Sequence, residues 1–163
     1  MMINNECLVI DTNVAIVANG KSEHASADCE LNSIKILKQC SNLQIALDDE
    51  GLIMDEYKRH LSYAGQPGVG DMFFKYLHDY QHAQDTITLH TITETNNENH
   101  GFEELPVNSF DPSDRKLLAV AVVAAASIVN ATDSDWAESS DLLNQLGVNV
   151  HQLCPEHCLR EAS

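Results

Sequence analysis

The chain has 163 residues, 44% of them hydrophobic, and its 25 acidic residues against 9 lysines and arginines give a formal net charge of −16. This length and composition predict one globular domain, residues 1–163, and exclude a disordered chain as the default. The negative charge argues against a general nucleic-acid binder, because counterion release requires a basic surface. Bound divalent cations can nevertheless reverse the local field at a single site.

Membrane and export signals are weak in this sequence. The longest apolar run, residues 117–126, is shorter than the roughly 20 residues that cross a bilayer. The N-terminus has neither the positive start nor the apolar segment of a signal peptide. The 5 cysteines are odd in number and scattered, which indicates reduced thiols rather than a disulfide framework. These features predict a soluble cytoplasmic protein with no membrane partner.

Apolar periodicity predicts an alternation of strands and helices. In chain order the predicted elements are a strand at 8–10, helices at 14–18 and 28–39, a strand at 43–47, helices at 50–64 and 71–82, a strand at 86–93, a helix at 112–125, a strand at 127–131, a helix at 136–146 and an edge strand at 148–153. The polar segment 94–109 is long for a connection and is typical of a functional lid or a mobile loop.

The helix at 112–125 has the clearest signals. Asp111 is placed as an N-cap, Pro112 stands at the first helical position, and Asp114 adds an acid in the first turn. Gly147 is placed to end the helix before the last strand. Strands that alternate with helices require right-handed crossovers, so we predict a three-layer α/β/α sandwich with a mostly parallel central sheet.

Two predicted strands end in the same way, with Asp11 after the first and Asp133 after the strand at 127–131. If these strands are parallel neighbours, both aspartates emerge at the carboxyl edge of the sheet, where ligands bind in α/β folds. Asp114 opens a buried helix, and helix capping with dipole compensation is its alternative role.

Glu56 is singled out by its place on the predicted helix 50–64. With Leu52 at zero and about 100° per residue, Glu56 falls near 40° and His60 near 80°, both inside the apolar arc. Asp55 falls near 300°, roughly in the middle of the polar face. An inward-facing acid is unfavourable unless a cation or hydrogen bonds compensate it. Glu56 therefore joins the candidate acids, and His60 is interpreted as an aromatic filler or a partner of Glu56.

Several carboxylates in one crevice repel each other, and their pKa values rise unless a cation neutralises them. Oxygen ligands suit Mg²⁺ or Mn²⁺, and such a metal can activate water for a phosphodiester displacement. The sequence therefore predicts a site for a divalent cation built from Asp11, Glu56, Asp114 and Asp133.

The same residues resemble the PIN domain family over nearly the whole chain. The motifs, in order, are Asp11-Thr12-Asn13 after the first strand, Glu56 on an early helix, Asp114 opening a late helix, and Thr132-Asp133-Ser134-Asp135-Trp136 after the next strand. The resemblance implies an endoribonuclease that uses Mg²⁺ or Mn²⁺ and cuts single-stranded RNA. It makes Asp11, Glu56, Asp114 and Asp133 the catalytic acids, Asp135 a further metal ligand, and Asn13 and Thr132 supporting residues that orient ligands. The net charge of −16 adds the expectation that this RNA binds weakly and through the metal.

Several alternatives stay open. Many small bacterial members of the family are toxins, so the resemblance also implies an antitoxin or another protein partner, and a homodimer is a further hypothesis. A second reading is a non-catalytic PIN-like scaffold that binds a protein partner, which the net charge favours. A third is a phosphotransferase-type fold with an aspartyl nucleophile. Asn13 argues against it, because the common phosphatase signature has a second aspartate at this position.

A weaker motif lies near the C-terminus. His151, Cys154, His157 and Cys158 have the residue types of a zinc site. A plain C-terminal helix is preferred, because structural zinc usually joins two separated ligand pairs.

Overall fold

The computed structural model describes residues 6–62, 68–83 and 85–158, and these contain one five-stranded sheet. All strand pairs are parallel, and the spatial order is β3-β2-β1-β4-β5. The strands are β1 (Cys7–Ile10), β2 (Gln44–Asp48), β3 (Ile87–His90), β4 (Ser127–Asn130) and β5 (Val150–Gln152).

Helices connect the strands at every crossover. They are α1 (Thr12–Ala18), α2 (Ala27–Lys38), α3 (Leu52–Lys58), α4 (Val69–Tyr80), α5 (Arg115–Ala124), α6 (Asp135–Glu138), α7 (Ser140–Leu146) and, after the last strand, α8 (Pro155–Cys158). Short 3₁₀ turns at Cys40–Asn42 and Pro112–Asp114 precede β2 and α5. Across the described ranges, every helix falls short of the length and apolar character that a bilayer crossing requires.

The helices form two layers around the sheet. On one side α1, α2 and α4 pack against one another, whereas α5 packs across β1, β2, β3 and β4. Right-handed crossovers place α1 to α4 on one face and α5 to α7 on the other, because the chain reverses direction between β3 and β4. The predicted three-layer α/β/α sandwich is confirmed, and its sheet is parallel throughout.

The core lies on both faces of the central strands. Every residue of β4 and the last three residues of β1 are buried, as expected of parallel strands covered on both sides. The largest fully buried side chains include Trp136, Tyr57, Phe73 and Phe74. At the crossing of α4 over α1, Gly70 is required, because an added Cβ would lie 2.0 Å from the carbonyl oxygen of Ala15.

Three predicted helices differ from the observed ones. The helix at 50–64 is shorter, since α3 ends at Lys58, and the end of the predicted range lies outside the described residues. The helix at 136–146 is two helices interrupted at Ser139. The helix at 112–125 begins with a 3₁₀ turn in which Asp111 accepts a hydrogen bond from the Ser113 amide. The stop at Gly147 is confirmed, because this residue adopts a φ of 71°.

Arg115, at the start of α5, anchors the polar segment 94–109. This role was not predicted from the sequence. The buried Arg115 guanidinium donates to the Glu98 carbonyl oxygen at 2.7 Å and to the Asn108 carbonyl oxygen at 3.1 Å. Its Nε also donates to Asn108 Oδ1 at 3.0 Å. A buried cation that is satisfied by loop carbonyls ties the segment to the start of α5.

The prediction that all cysteines are reduced is wrong for one pair. Cys29 on α2 and Cys154 after β5 form a disulfide across 125 positions of sequence. Cys7 and Cys40 are free and partly buried. Sequence spacing could not reveal the pair, because the two sulfur atoms meet only after α2 has packed against the end of the chain.

Candidate metal centre

The candidate centre lies at the carboxyl ends of β1 and β4. These neighbouring strands mark the topological switch point, since crossovers run one way from β1 to β3 and the other way from β4 to β5. Asp11 follows β1 directly, and its amide donates to the Val129 carbonyl oxygen of β4 at 3.0 Å. Asp133 follows β4 after two residues. The topology therefore places both aspartates at one end of one crevice.

Two asparagines join the turns that carry these acids. Asn13 Oδ1 accepts from the amides of Ala131 at 2.8 Å and Thr132 at 3.3 Å, and Asn13 Nδ2 donates to Asn130 Oδ1 at 2.9 Å. Asn130 Oδ1 also accepts from the Asp133 amide at 3.2 Å, and Asn130 Nδ2 donates to the Asp133 carbonyl oxygen at 2.8 Å. Asn13 and the Thr132 amide thus fix the backbone between the acids, and Asn130 is a supporting residue that sequence reasoning missed.

Asp11 is buried and held at both carboxylate oxygens. Its Oδ2 accepts from Trp136 Nε1 at 2.7 Å, and its Oδ1 accepts from the Asn13 amide at 3.3 Å, which caps α1. Burial raises the pKa of Asp11 to about 6, the Trp136 hydrogen bond opposes that rise, and the charges of Asp133 and Glu56 add to it. Trp136 was quoted in the motif, but its contact with Asp11 was not foreseen.

Asp114 completes a group of three carboxylates from three segments of the chain. Asp11, Asp114 and Asp133 each offer an oxygen within 4.8 Å of the others. Burial, followed by the charges of Asp11 and Asp133, holds the pKa of Asp114 far above its usual range. Its side chain makes no capping hydrogen bond at the start of α5, and Asp111 performs that role in the preceding turn. Capping therefore does not explain Asp114.

A second group of acids shares Asp114. Asp111, Asp114 and Asp135 also offer oxygens within 4.8 Å of one another, beside a cleft of about 400 Å³ that Asp111 and Asp135 line. Burial raises the pKa of Asp135 to about 6, with further contributions from the charges of Asp133 and Asp111. Asp111 was recognised from sequence only as a cap. Two overlapping carboxylate groups are an arrangement that one or two divalent cations can use.

Glu56 belongs to neither group among the described residues. Its carboxylate pairs with Lys116 Nζ at 3.0 Å, Arg59 at 3.4 Å and His60 Nε2 at 3.5 Å. Glu56 is nevertheless close enough to raise the pKa of Asp11 through its charge. The structure therefore brings Glu56 to the neighbourhood of the aspartates, with a lysine ammonium on its carboxylate.

The helical wheel separated Glu56 from Asp55 correctly. Asp55 is exposed, whereas the Glu56 side chain is only 19% exposed. The wheel was wrong for His60, which is exposed because α3 ends two residues earlier. The interpretation of His60 as a partner of Glu56 is confirmed.

Other buried aspartates have ordinary structural roles. Asp48 accepts the amides of Leu52 and Ile53 at 2.8 Å each, and Asp71 accepts the amide of Ser62 at 2.8 Å. Backbone N–H groups compensate these two carboxylates. Asp114 differs, because its neighbours are acids.

A second cleft of about 500 Å³ adjoins Glu56, between α3, residues 94–102 and the start of α5. Its charged lining residues are three cations, Arg59, Arg115 and Lys116, and three acids, Asp55, Glu94 and Glu98. The cleft is therefore balanced in charge within a strongly acidic chain, and its Lys116 pairs with Glu56, whose charge acts on Asp11.

Comparison of the chain with protein-family models, with curated proteins and with solved structures finds no match. The geometry of the site must therefore be interpreted from its own chemistry. A set of hard carboxylate oxygens, in which burial and neighbouring acids raise the pKa values of Asp11 and Asp114, is a donor set that fits Mg²⁺ or Mn²⁺.

Proposed function

We propose that this protein is a divalent-metal-dependent endoribonuclease that cuts single-stranded RNA, and that Asp11, Asp114 and Asp133 hold Mg²⁺ or Mn²⁺. One observation carries the proposal. Carboxylates from three separate segments meet at the switch point of a parallel sheet, where burial, followed by the charges of its acidic neighbours, raises the pKa of Asp114. Such an arrangement is unfavourable without a cation. The resemblance of the four motifs to the PIN domain family supplies the reaction class.

The residues of the chain divide the work. When bound, the metal supplies an activated water and stabilises charge on the phosphodiester. Trp136 and the Asn13–Asn130 pair hold Asp11 and Asp133 in place through the hydrogen bonds described above. Asp135 and Asp111 extend the donor set on the side of the smaller cleft. Since water attacks, no side chain forms a covalent intermediate.

Lys116 and Arg59 would contact the substrate. They line the larger cleft, where they are cationic contacts for phosphates among the acids Asp55, Glu94 and Glu98. In this proposal an RNA phosphate competes with Glu56 for Lys116, and Glu56, once released, would add its negative charge beside Asp11. Because few cationic side chains take part, the affinity for RNA should be low and should fall only modestly as the salt concentration rises.

A second candidate function is a scaffold that binds a protein partner, such as an antitoxin, without catalysis. The pairing of Glu56 with Lys116 favours it, because the fourth acid is then already neutralised. The net charge of −16 also favours a protein partner over a polyanion. For the enzyme we propose a cytoplasmic location, where its RNA substrate is found.

The test is cleavage by the purified protein of labelled RNA and DNA oligonucleotides, single-stranded and double-stranded. The enzyme should cut single-stranded RNA with Mg²⁺ or Mn²⁺ and stop when EDTA is added. Asp11→Asn should abolish cleavage, since the amide keeps the size of the side chain but removes its charge. Clear Mn²⁺ binding without cleavage of any substrate would support the scaffold instead. Metal-dependent cleavage that survives Asp11→Asn would exclude this site.

A further inference from the structure

The last segment of the described chain is fastened to α2 by three contacts. The Cys29–Cys154 bond joins them covalently. Asn32 Nδ2 donates to the Leu153 carbonyl oxygen at 2.9 Å, and Ser26 Oγ donates to Glu156 Oε1 at 3.2 Å. Two of the three contacts are hydrogen bonds that do not require the covalent bond.

Two side chains of types that can ligate a metal lie next to this bond. Cys29 Sγ, a carboxylate oxygen of Glu156 and a ring nitrogen of His157 all lie within 4.8 Å of one another, and Cys154 Sγ is bonded to Cys29 Sγ at the same place. His157 Nε2 is buried and has no hydrogen-bond partner among the residues that the structure describes. A buried imidazole nitrogen without a partner is a group that needs an explanation, and a metal ion would provide one.

We propose that the reduced chain binds one Zn²⁺ ion through Cys29, Cys154, His157 and Glu156. Thiolate, imidazole and carboxylate are the ligands that Zn²⁺ takes in proteins, and four of them complete a tetrahedron. The set also joins two parts of the chain that are 125 residues apart, as structural zinc sites do. This site is separate from the aspartate cluster and does not depend on the proposed function.

The oxidised and zinc-bound forms exclude each other. A phosphine reductant transfers two electrons to the disulfide, and water supplies two protons and an oxygen atom, so the products are two thiols and a phosphine oxide. Each thiol then loses its proton when it binds zinc. Two thiolates at about 2.3 Å from one tetrahedral zinc lie about 3.8 Å apart, so the sulfur atoms must separate after reduction.

The ligand set differs from the one that the sequence spacing offered. His151 lies on β5, where its Nε2 is 2.7 Å from Glu6 Oε1. It is therefore engaged with the start of β1 rather than with Cys154. Cys29, which lies far from the others in sequence, takes its place beside the C-terminal cluster. Cys29 could be identified as a ligand only from the fold, because the packing of α2 brings it next to Cys154.

The experiment is a Co²⁺ titration of the fully reduced protein under anaerobic conditions. Both cysteines are buried, so reduction is carried out in mild denaturant and is verified after refolding by a thiol count. We expect one equivalent of Co²⁺ to give thiolate-to-cobalt charge-transfer absorption and the visible bands of a tetrahedral ion, and Zn²⁺ to displace it. The charge-transfer absorption reports sulfur ligation alone, so metal at the aspartates does not interfere. The disulfide form should show no such bands.

Matched variants identify the ligands. His157→Ala should weaken binding by on the order of 100-fold or more, since even outer partners of metal ligands change affinity 10- to 100-fold. Cys40→Ser, which removes a free thiol on another part of the fold, should bind as the parent does. In the mild denaturant that makes both thiols accessible, Zn²⁺ should protect Cys29 and Cys154 of the parent protein from alkylation, as read by mass spectrometry. Absence of the charge-transfer absorption, an unchanged affinity in His157→Ala, or protection on other cysteines would overturn the proposal.

Discussion

Trp136 Nε1 lies 2.7 Å from Asp11 Oδ2 and donates a hydrogen bond to it, although the two residues are 125 positions apart. Trp136 is fully buried, and its ring packs against Phe110 at a centroid distance of 4.9 Å. The indole thus fixes the carboxylate at the centre of the candidate metal site. It is also the chain's single tryptophan, so intrinsic tryptophan fluorescence reports on this site.

Replacing Trp136 by phenylalanine removes this donor and part of the core volume. A buried acceptor that loses its partner lowers the free energy of unfolding by about 1–3 kcal/mol. A ligand that loses its orienting hydrogen bond binds metal roughly 10- to 100-fold more weakly. Urea unfolding followed by circular dichroism and Mn²⁺ titration by calorimetry measure the two effects. An unchanged Mn²⁺ affinity would show that Trp136 packs the core without positioning Asp11 for a metal.

The metal-free protein should lose stability as the pH rises. The pKa values of Asp11 and Asp135 are raised from 3.8 to about 6, and the pKa of Asp114 is raised further by burial and its acidic neighbours. Between the unfolded and folded pKa values the folded state binds more protons, so the free energy of unfolding falls across that window. For Asp11 and Asp135 the loss occurs between about pH 4 and 6, and for Asp114 it continues above pH 6.

Asp114→Asn separates this effect from the general repulsion of an acidic chain. With EDTA present, the variant should show a smaller fall in urea midpoint between pH 5 and 8 than the parent, because one titrating carboxylate is gone. Asp55→Asn removes the same charge from an exposed position and should keep the parental slope. Equal slopes in the two variants would mean that the clustered acids do not interact. Mn²⁺ should stabilise the parent by mass action at neutral pH and Asp114→Asn much less.

Glu56 should matter less for metal affinity than the aspartates. It lies outside both carboxylate groups and pairs with Lys116, so Glu56→Gln should weaken Mn²⁺ binding less than Asp133→Asn does. Cleavage of RNA should be more sensitive to this variant than Mn²⁺ binding is. In the proposed reaction the substrate releases Glu56 from Lys116, so Glu56→Gln should lose activity. Calorimetry and cleavage rates on the same preparations give the comparison. A larger loss of Mn²⁺ affinity in Glu56→Gln would place Glu56 among the primary ligands.

Asn130→Ala should be strongly destabilising. Asn130 is fully buried and connects Asn13, Asp133 and Gln152, the last through a bond of 2.7 Å to Gln152 Oε1. Its loss leaves several buried groups unpaired, for which roughly 2–4 kcal/mol of unfolding free energy is expected. Asn144→Ala, at an exposed position of α7, is the control and should stay within about 0.5 kcal/mol. Similar unfolding midpoints for both variants would contradict the role of Asn130.

The layers and strands were predictable because apolar runs and caps are local signals. Asp111-Pro112 and Gly147 mark ends of elements through backbone geometry alone. The end of α3 at Lys58 and the break at Ser139 depend on tertiary packing, which overrides helix propensity.

The site was predictable only in part. Asp11 and Asp133 follow from strand ends, because parallel topology brings such positions together. The pairing of Glu56 with Lys116 and the Cys29–Cys154 bond are long-range contacts between side chains, and no local pattern specifies them. Asn130 ends β4 as a fully buried polar residue, and an asparagine at the end of an apolar strand was the one signal that could have revealed it.

The most direct test of the proposed enzyme is the single-turnover cleavage rate of one single-stranded RNA in Mn²⁺ by the parent, Asp133→Asn and Asp85→Asn. Asp133 lies in the carboxylate group at the carboxyl ends of the strands, whereas Asp85 is exposed in the turn before β3, at their amino ends, so the two variants lose the same charge at different distances from the site. We predict that Asp133→Asn loses cleavage while its fold, read by circular dichroism, is retained, and that Asp85→Asn cuts at nearly the parental rate. Equal rates for the two variants would contradict the assignment of this cluster as the catalytic metal centre.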